Sequence, residues 1–142
     1  MGRAKFPVAV HLFLIKESKI LLLRRFNTGY EDGNYSVCAG HVDGDEVYYE
    51  AMIREAKEEI GIKLKKEQLR PVQVMHRKKD DERIDYFFMA NHWEGEIQNM
   101  ELEKCDELRW VAVSELPDNT IPYIRYAIEQ YLNGNSFTDF GW

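Results

Sequence analysis

Apolar and polar positions cut the chain into short segments of period two and two longer segments of helical period. Residues 6–15 are apolar and β-branched, interrupted by His11; residues 16–19 (Lys-Glu-Ser-Lys) form a turn, and residues 20–25 resume the pattern. Together they predict a β-hairpin within a mixed sheet, with His11 read as a satisfied strand residue rather than a ligand. A loop rich in Asn, Gly and Asp spans 26–34. A glycine-rich acidic loop ends at Asp45, and a helical pattern then runs to Ile60, where Gly61 stops it. Tyr49, Ile53, Ala56 and Ile60 fall on the flank of that helix that can pack into a core. Further on, 71–77 and 83–90 read as strands around a charged tip at 78–82, with 85–89 a buried central strand. Residues 93–104 form a polar loop, 107–113 a strand carrying Trp110, and 122–133 a closing helix that starts on Pro122 and ends before Gly134. The aromatic tail, 135–142, is expected to dock on the same chain or on a second subunit. Elements alone give an α/β or α+β fold.

Charge narrows the partners. The net charge of −6 argues against a nucleic-acid polymer, which needs a basic footprint. An acidic protein that handles an anionic substrate needs metal and a few well-placed arginines as the bridge. Of Arg24 and Arg25, which close the second strand, one is a candidate for phosphate and the other for solvent. Cys38 and Cys105 form no CxxC pair and suit a reducing compartment. No apolar run approaches membrane length and no signal-peptide pattern opens the chain, so a cytoplasmic, single-domain protein over residues 1–142 is expected.

The candidate chemistry sits on the first helix. Glu55, Glu58 and Glu59 are three and four residues apart and share a face, where like charges repel and weaken a bare helix. A charged surface helix is the plain explanation. A site for a hard divalent cation, which takes oxygen ligands and leaves room for water and phosphate, is the sharper one.

Spacing separates the two. Gly40, five residues, Glu46, seven residues, then Arg54-Glu55-Ala56-Lys57-Glu58-Glu59-Ile60-Gly61-Ile62 resembles the Nudix box, with the small Ala56 in its aliphatic slot. The likeness spans residues 40–62. Upstream, where many Nudix enzymes carry Trp and then Leu-Pro-Gly-Gly, this chain has Tyr35, Val37, Cys38 and Ala39, so Cys38 forgoes the stiffening of a proline. No histidine is set beside Cys38 by the motif, which leaves it structural. The Asp43-Gly44-Asp45 cluster lacks the spacing and twelfth ligand of a calcium loop.

The resemblance implies a Nudix-type α/β/α sandwich with a mixed β-sheet, and Mg²⁺-dependent hydrolysis of a nucleoside diphosphate linked to a group X, with Mn²⁺ as a substitute. Residue by residue, it implies Glu55, Glu58 and Glu59 as metal ligands with the Gly40 carbonyl nearby. Glu55 or Glu58 would orient or deprotonate the attacking water, and Arg54 would tie the helix and position the glutamates. Glu46 is expected at the helix start or in the outer metal shell, and Glu101 or Glu103 as a further carboxylate. The proline typical of ADP-ribose hydrolases is replaced by Lys78, and the tyrosine of dinucleoside polyphosphate hydrolases is missing from 78–80. The coenzyme A and NADH signatures are also missing. Elimination leaves a nucleoside triphosphate, an oxidised purine among the options, cleaved to monophosphate and pyrophosphate. Asn119, Pro122 and Tyr123 resemble the base-reading loop of MutT-like enzymes, with helix packing the alternative for Tyr123. ADP-ribose or a nucleotide sugar is the runner-up, and a nucleotide-sensing module without catalysis is the reading from another class. The expected partner is a small-molecule nucleotide, with no membrane, and the expected state a monomer or homodimer.

Overall fold

In the computed structural model, which describes residues 2–142, β1 (Val8–Lys16) and β2 (Lys19–Arg25) form the expected hairpin but stay paired only at Ile15↔Ile20 and Lys16↔Lys19. Beyond the turn they diverge. β1 runs between β4 (Cys38–His41), antiparallel, and β6 (Glu82–Ala90), parallel. β2 runs between β3 (Tyr35–Ser36) and β7 (Cys105–Ala112), both antiparallel. Val37, between β3 and β4, is where one extended segment passes from β2 to β1. β5 (Arg70–Lys78) pairs with β6, and β8 (Phe137–Phe140) adds a parallel strand outside β5. The result is a mixed sheet with a larger wing, β4–β1–β6–β5–β8, and a smaller one, β3–β2–β7.

Alternation along β1 assigns its two faces to two cores. Val10, Leu12 and Leu14 pack with Phe88 against Ala51, Met52, Ala56 and Ile60 of α1 (Tyr48–Ile60). Phe13 packs with Phe87 and Met75 against Ile124, Ala127 and Ile128 of α2 (Pro122–Leu132). Each of the larger side chains contributes roughly 1.5–3 kcal/mol on burial, which is what fixes both helices to the sheet, while the alanines let them approach it. Together the layers form the α/β/α arrangement.

Several local expectations shift. α1 begins at Tyr48, not at Glu46: Asp45 takes a left-handed φ of 62°, and Glu46 turns back to accept the Asp43 N–H at 3.0 Å. Its buried stripe centres on Met52 and Ala56, leaving Tyr49 and Ile53 half-buried. Gly61 ends it at φ 73°, as the sequence predicts. The tail docks on the same chain, one of the two outcomes expected, and does so as β8, a strand too short to register by pattern alone. Cys38 and Cys105 are both buried and free. Among the described residues no helix is long and apolar enough to cross a membrane.

Candidate functional site

A cleft of about 750 Å³ opens over β4 and is lined by Gly40, Glu55, Glu58, Glu59 and Glu101, together with Arg25, Arg77, Lys79, Arg83, Lys104 and Tyr123. The glutamates of α1 reach it because the helix packs directly on β4. A Cβ on Gly40 would overlap the Glu55 carboxyl, so only glycine leaves room for that carboxylate to lie against β4 where it does.

Glu101 arrives by a separate route. The last carbonyls of a helix lack partners within it. In α1 those of Glu59 and Ile60 accept the N–H groups of Met100 and Gln98, each at 3.0 Å. Asn99 then closes the turn, accepting from the Glu101 N–H at 3.0 Å and donating to the Cys105 carbonyl at 2.6 Å. Glu103, three positions from the loop's anchor, is exposed and outside the cleft.

Arg54 organises the acidic face. It bonds Glu46 through Nε at 2.8 Å and Nη2 at 3.0 Å, Glu55 at 2.7 Å, Glu58 at 3.3 Å and the His41 carbonyl at 3.0 Å. Hydrogen bonds from Arg54 hold the Glu46 carboxyl down to about 2. Glu46 therefore serves as the anchor for Arg54 rather than as a first-turn charge on α1.

Glu59 lies deeper. It accepts the Ala39 N–H at 2.8 Å and sits beside the Cys38 thiol, and burial pushes its carboxyl up to about 8, with Glu55 and Glu101 adding repulsion. Burial likewise raises Glu55, opposed by Arg54. Burial and these neighbouring carboxylates push the Cys38 thiol up, so it is an inert packing group. Glu58 and Glu59 also stand at the negative end of the α1 dipole. All-oxygen donors whose charges are mutually unfavourable suit a hard cation, and Glu59 and Glu101 have no cationic partner among the described residues. As they stand, no three acidic, His or Cys side chains among the described residues converge on one point, because Glu55 and Glu58 turn to Arg54 and Glu59 to Ala39. Holding an ion requires Glu55 and Glu58 to loosen from Arg54.

The two arginines of β2 part company at a bulge. Arg24 pairs with Glu107 and Arg25 with Cys105, so Asp106 is extruded and its carboxylate takes Arg24 at 2.8 and 3.0 Å. Arg24 is therefore held by Asp106 and does not line the large cleft, but it borders a smaller adjoining pocket together with Arg25, Glu59, Glu101 and Lys104. Arg25 lines it, bonding the Tyr30 carbonyl at 2.7 Å and Thr28 at 3.0 Å.

The expected base readers are largely engaged elsewhere. The Asn119 side-chain amide donates to the Gly33 carbonyl at 2.8 Å and the Asn119 backbone carbonyl accepts the Tyr35 N–H at 2.9 Å, tying two loops together. Pro122 is exposed and does not line the cleft. Tyr123 does line it, with its hydroxyl donating to His11 Nε2 at 2.9 Å and its ring 3.6 Å from the Arg77 guanidinium. Beneath it lies a pair the sequence reading missed: Arg77 bonded to the fully buried Asp85 at 2.6 Å. Their separation of eight residues across an antiparallel hairpin was the available signal. His11 is satisfied, donating from Nδ1 to the Tyr86 carbonyl at 3.2 Å, and burial pulls its pKa down to about 4.

A family model for the NUDIX domain matches residues 5–131. The MutT NUDIX hydrolase of Burkholderia pseudomallei superposes with a TM-score of 0.81 at 25% identity, over 89% of this chain and 98% of that one. The MutT protein of Methanosarcina mazei Go1 gives 0.78 at 19% identity, over 94% and 97%. A bifunctional NMN adenylyltransferase/ADP ribose pyrophosphatase of Francisella tularensis gives 0.73 at 20% identity, over 94% of this chain and 42% of that one.

Proposed function

This chain belongs to the NUDIX family, a pyrophosphohydrolase acting on nucleoside diphosphates linked to a further group, and from that premise we propose that it cleaves a nucleoside triphosphate, an oxidised purine included, to monophosphate and pyrophosphate with Mg²⁺. What carries the reading is one cleft shared by Glu55, Glu58, Glu59 and Glu101 and by Arg25, Lys79 and Lys104, cations without a carboxylate partner among the described residues. Glu55, Glu58, Glu59 and the Gly40 carbonyl would hold the ion, with Glu101 as a further ligand. When bound, the ion supplies charge neutralisation at the phosphates and a more acidic water.

The chain's own groups do the rest. Glu55 or Glu58 takes the proton of the attacking water as its oxygen bonds to phosphorus and the bridging P–O bond to pyrophosphate opens. Arg54, anchored on Glu46, sets the resting positions from which Glu55 and Glu58 turn to the ion, and does not touch substrate. Arg25, Lys79 and Lys104 steady the phosphates, and Tyr123 is the one residue of the predicted base-reading segment that borders the cleft.

The test is product analysis on a panel of nucleoside triphosphates, oxidised purine triphosphates, ADP-ribose and nucleotide sugars with Mg²⁺. Pyrophosphate release supports the reading. Monophosphates from ADP-ribose alone would replace it with the runner-up, and binding without turnover would make the chain a sensing module. Glu58→Gln is expected to lower kcat by about 10²-fold or more with the fold intact.

A further inference from the structure

The segment after α2 lies beyond the matched family region, and it is fastened to one feature of the cleft. β8 pairs with β5 from Val74↔Phe137 to Arg77↔Phe140, which is the stretch leading into the β5–β6 tip. Thr138 donates to Gln73 at 2.7 Å, and Gln73 in turn donates to the Ala127 carbonyl at 2.8 Å, so strand and α2 are locked together. Phe140 packs on Tyr126. Gly141, at φ 89°, brings the backbone so near Lys78 that a Cβ would overlap the Lys78 carbonyl. Trp142 then closes over the end of β5: its indole N–H donates to the His76 carbonyl at 3.0 Å, and its ring meets His76 and the Lys78 ammonium. His76 itself bonds Glu82 across the hairpin at 2.6 Å.

What is braced in this way is the hairpin tip, and Arg77, Lys79, Asp80, Asp81 and Arg83 all line the cleft. Arg77 is committed to Asp85 and Arg83 to Asp81, whereas Lys79 reaches only the Tyr30 ring, at 5.7 Å. Without β8, β5 would be an edge strand and the tip would be held by its own pairing alone. We infer that β8 and Trp142 are positioning elements for substrate binding: they fix the β5–β6 tip so that Lys79 meets the anionic part of the substrate. The inference rests on the nucleotide-hydrolase reading above. It assigns the segment to affinity and leaves the bond-breaking step to α1, whose core lies on the other face of the sheet.

The experiment is a double-mutant cycle with Trp142→Ala and Lys79→Ala, read as KM and kcat on whichever nucleotide the wild-type chain turns over. Each single variant should raise KM about tenfold, and Trp142→Ala should leave kcat within about twofold. The double variant should be no worse than Lys79→Ala alone, because the brace acts through the tip. An unchanged KM in Trp142→Ala, a loss confined to kcat, or KM effects that multiply in the double variant would each overturn the inference. Should Trp142→Ala fail to fold, Trp142→Phe keeps a ring against His76 and removes the N–H donor; it should raise KM by about threefold, and no change overturns the brace. A wild-type chain that turns over no nucleotide sinks the functional reading, and the brace with it. Turnover with KM indifferent to both Trp142 variants sinks the brace alone.

Discussion

The carboxyl of Glu55 occupies the space where a side chain on Gly40 would begin. Gly40→Ala must therefore displace either the strand or the carboxylate, and the carboxylate is the softer of the two. The expected result is a kcat lower by about 10²-fold, since small misplacements of a reacting group carry that penalty. Stability should change by only ~1 kcal/mol, because Gly40 needs no left-handed φ. Steady-state kinetics alongside urea midpoints would check the pair of expectations.

Glu59 gives a test of the cation that does not depend on turnover. Burial raises its carboxyl to about 8, so near neutral pH its charged form is disfavoured until a cation arrives. Mg²⁺ should raise the Tm of chelator-treated protein, by the equivalent of about 2.7 kcal/mol at a hundred times its Kd. Glu59→Gln should keep or exceed the metal-free Tm and lose the Mg²⁺-dependent rise. A Tm indifferent to Mg²⁺ in the wild type would count against the site.

Arg54 spans two carboxylates flanking the cleft and one anchor behind it, a pattern that needs the planar fork of a guanidinium. Arg54→Lys is expected to lower kcat about tenfold or more despite keeping the charge, and Glu46→Gln to lower it less. Equal activity of Arg54→Lys and wild type would remove the fork from the argument.

His11 links stability to pH. Its folded-state pKa of about 4 is below the ordinary value of 6.5, chiefly through burial. The unfolded chain thus binds the extra proton, so the contribution is fully present above pH 6.5 and is lost as pH falls through 4. The most it can supply is about 3 kcal/mol. Replacing His11 with Gln should flatten the fall in unfolding free energy between pH 6.5 and 4 relative to wild type, measured by chemical denaturation at several pH values.

The acidic helix was legible because its chemistry is local: three glutamates on one face, a stop at Gly61 and a glycine fifteen residues before Glu55 sit within one short window. Residues whose partners come from distant segments were not. Nothing near Arg24 in the chain announces the bulge that hands it to Asp106, and Asn119 looks like a free polar group until Gly33 and Tyr35 are brought beside it. β8 escaped for a different reason. Four residues carry too little pattern to declare a strand, and its parallel pairing with β5 is set by where α2 ends. Glu101 lies between these cases: its loop was readable, but its place in the cleft depends on Gln98 and Met100 capping α1.

Because α1 and α2 pack on separate cores, the glutamates proposed to break the bond and the surface proposed to choose the molecule are supported from opposite faces of one sheet. Substitutions that retune the α2 side, around Tyr123, Arg77 and the braced tip, need not propagate through Met52 and Ala56 to the glutamates. On the assignment proposed above, a scaffold divided in this manner changes its preferred nucleotide in small steps without disturbing the acidic face of α1.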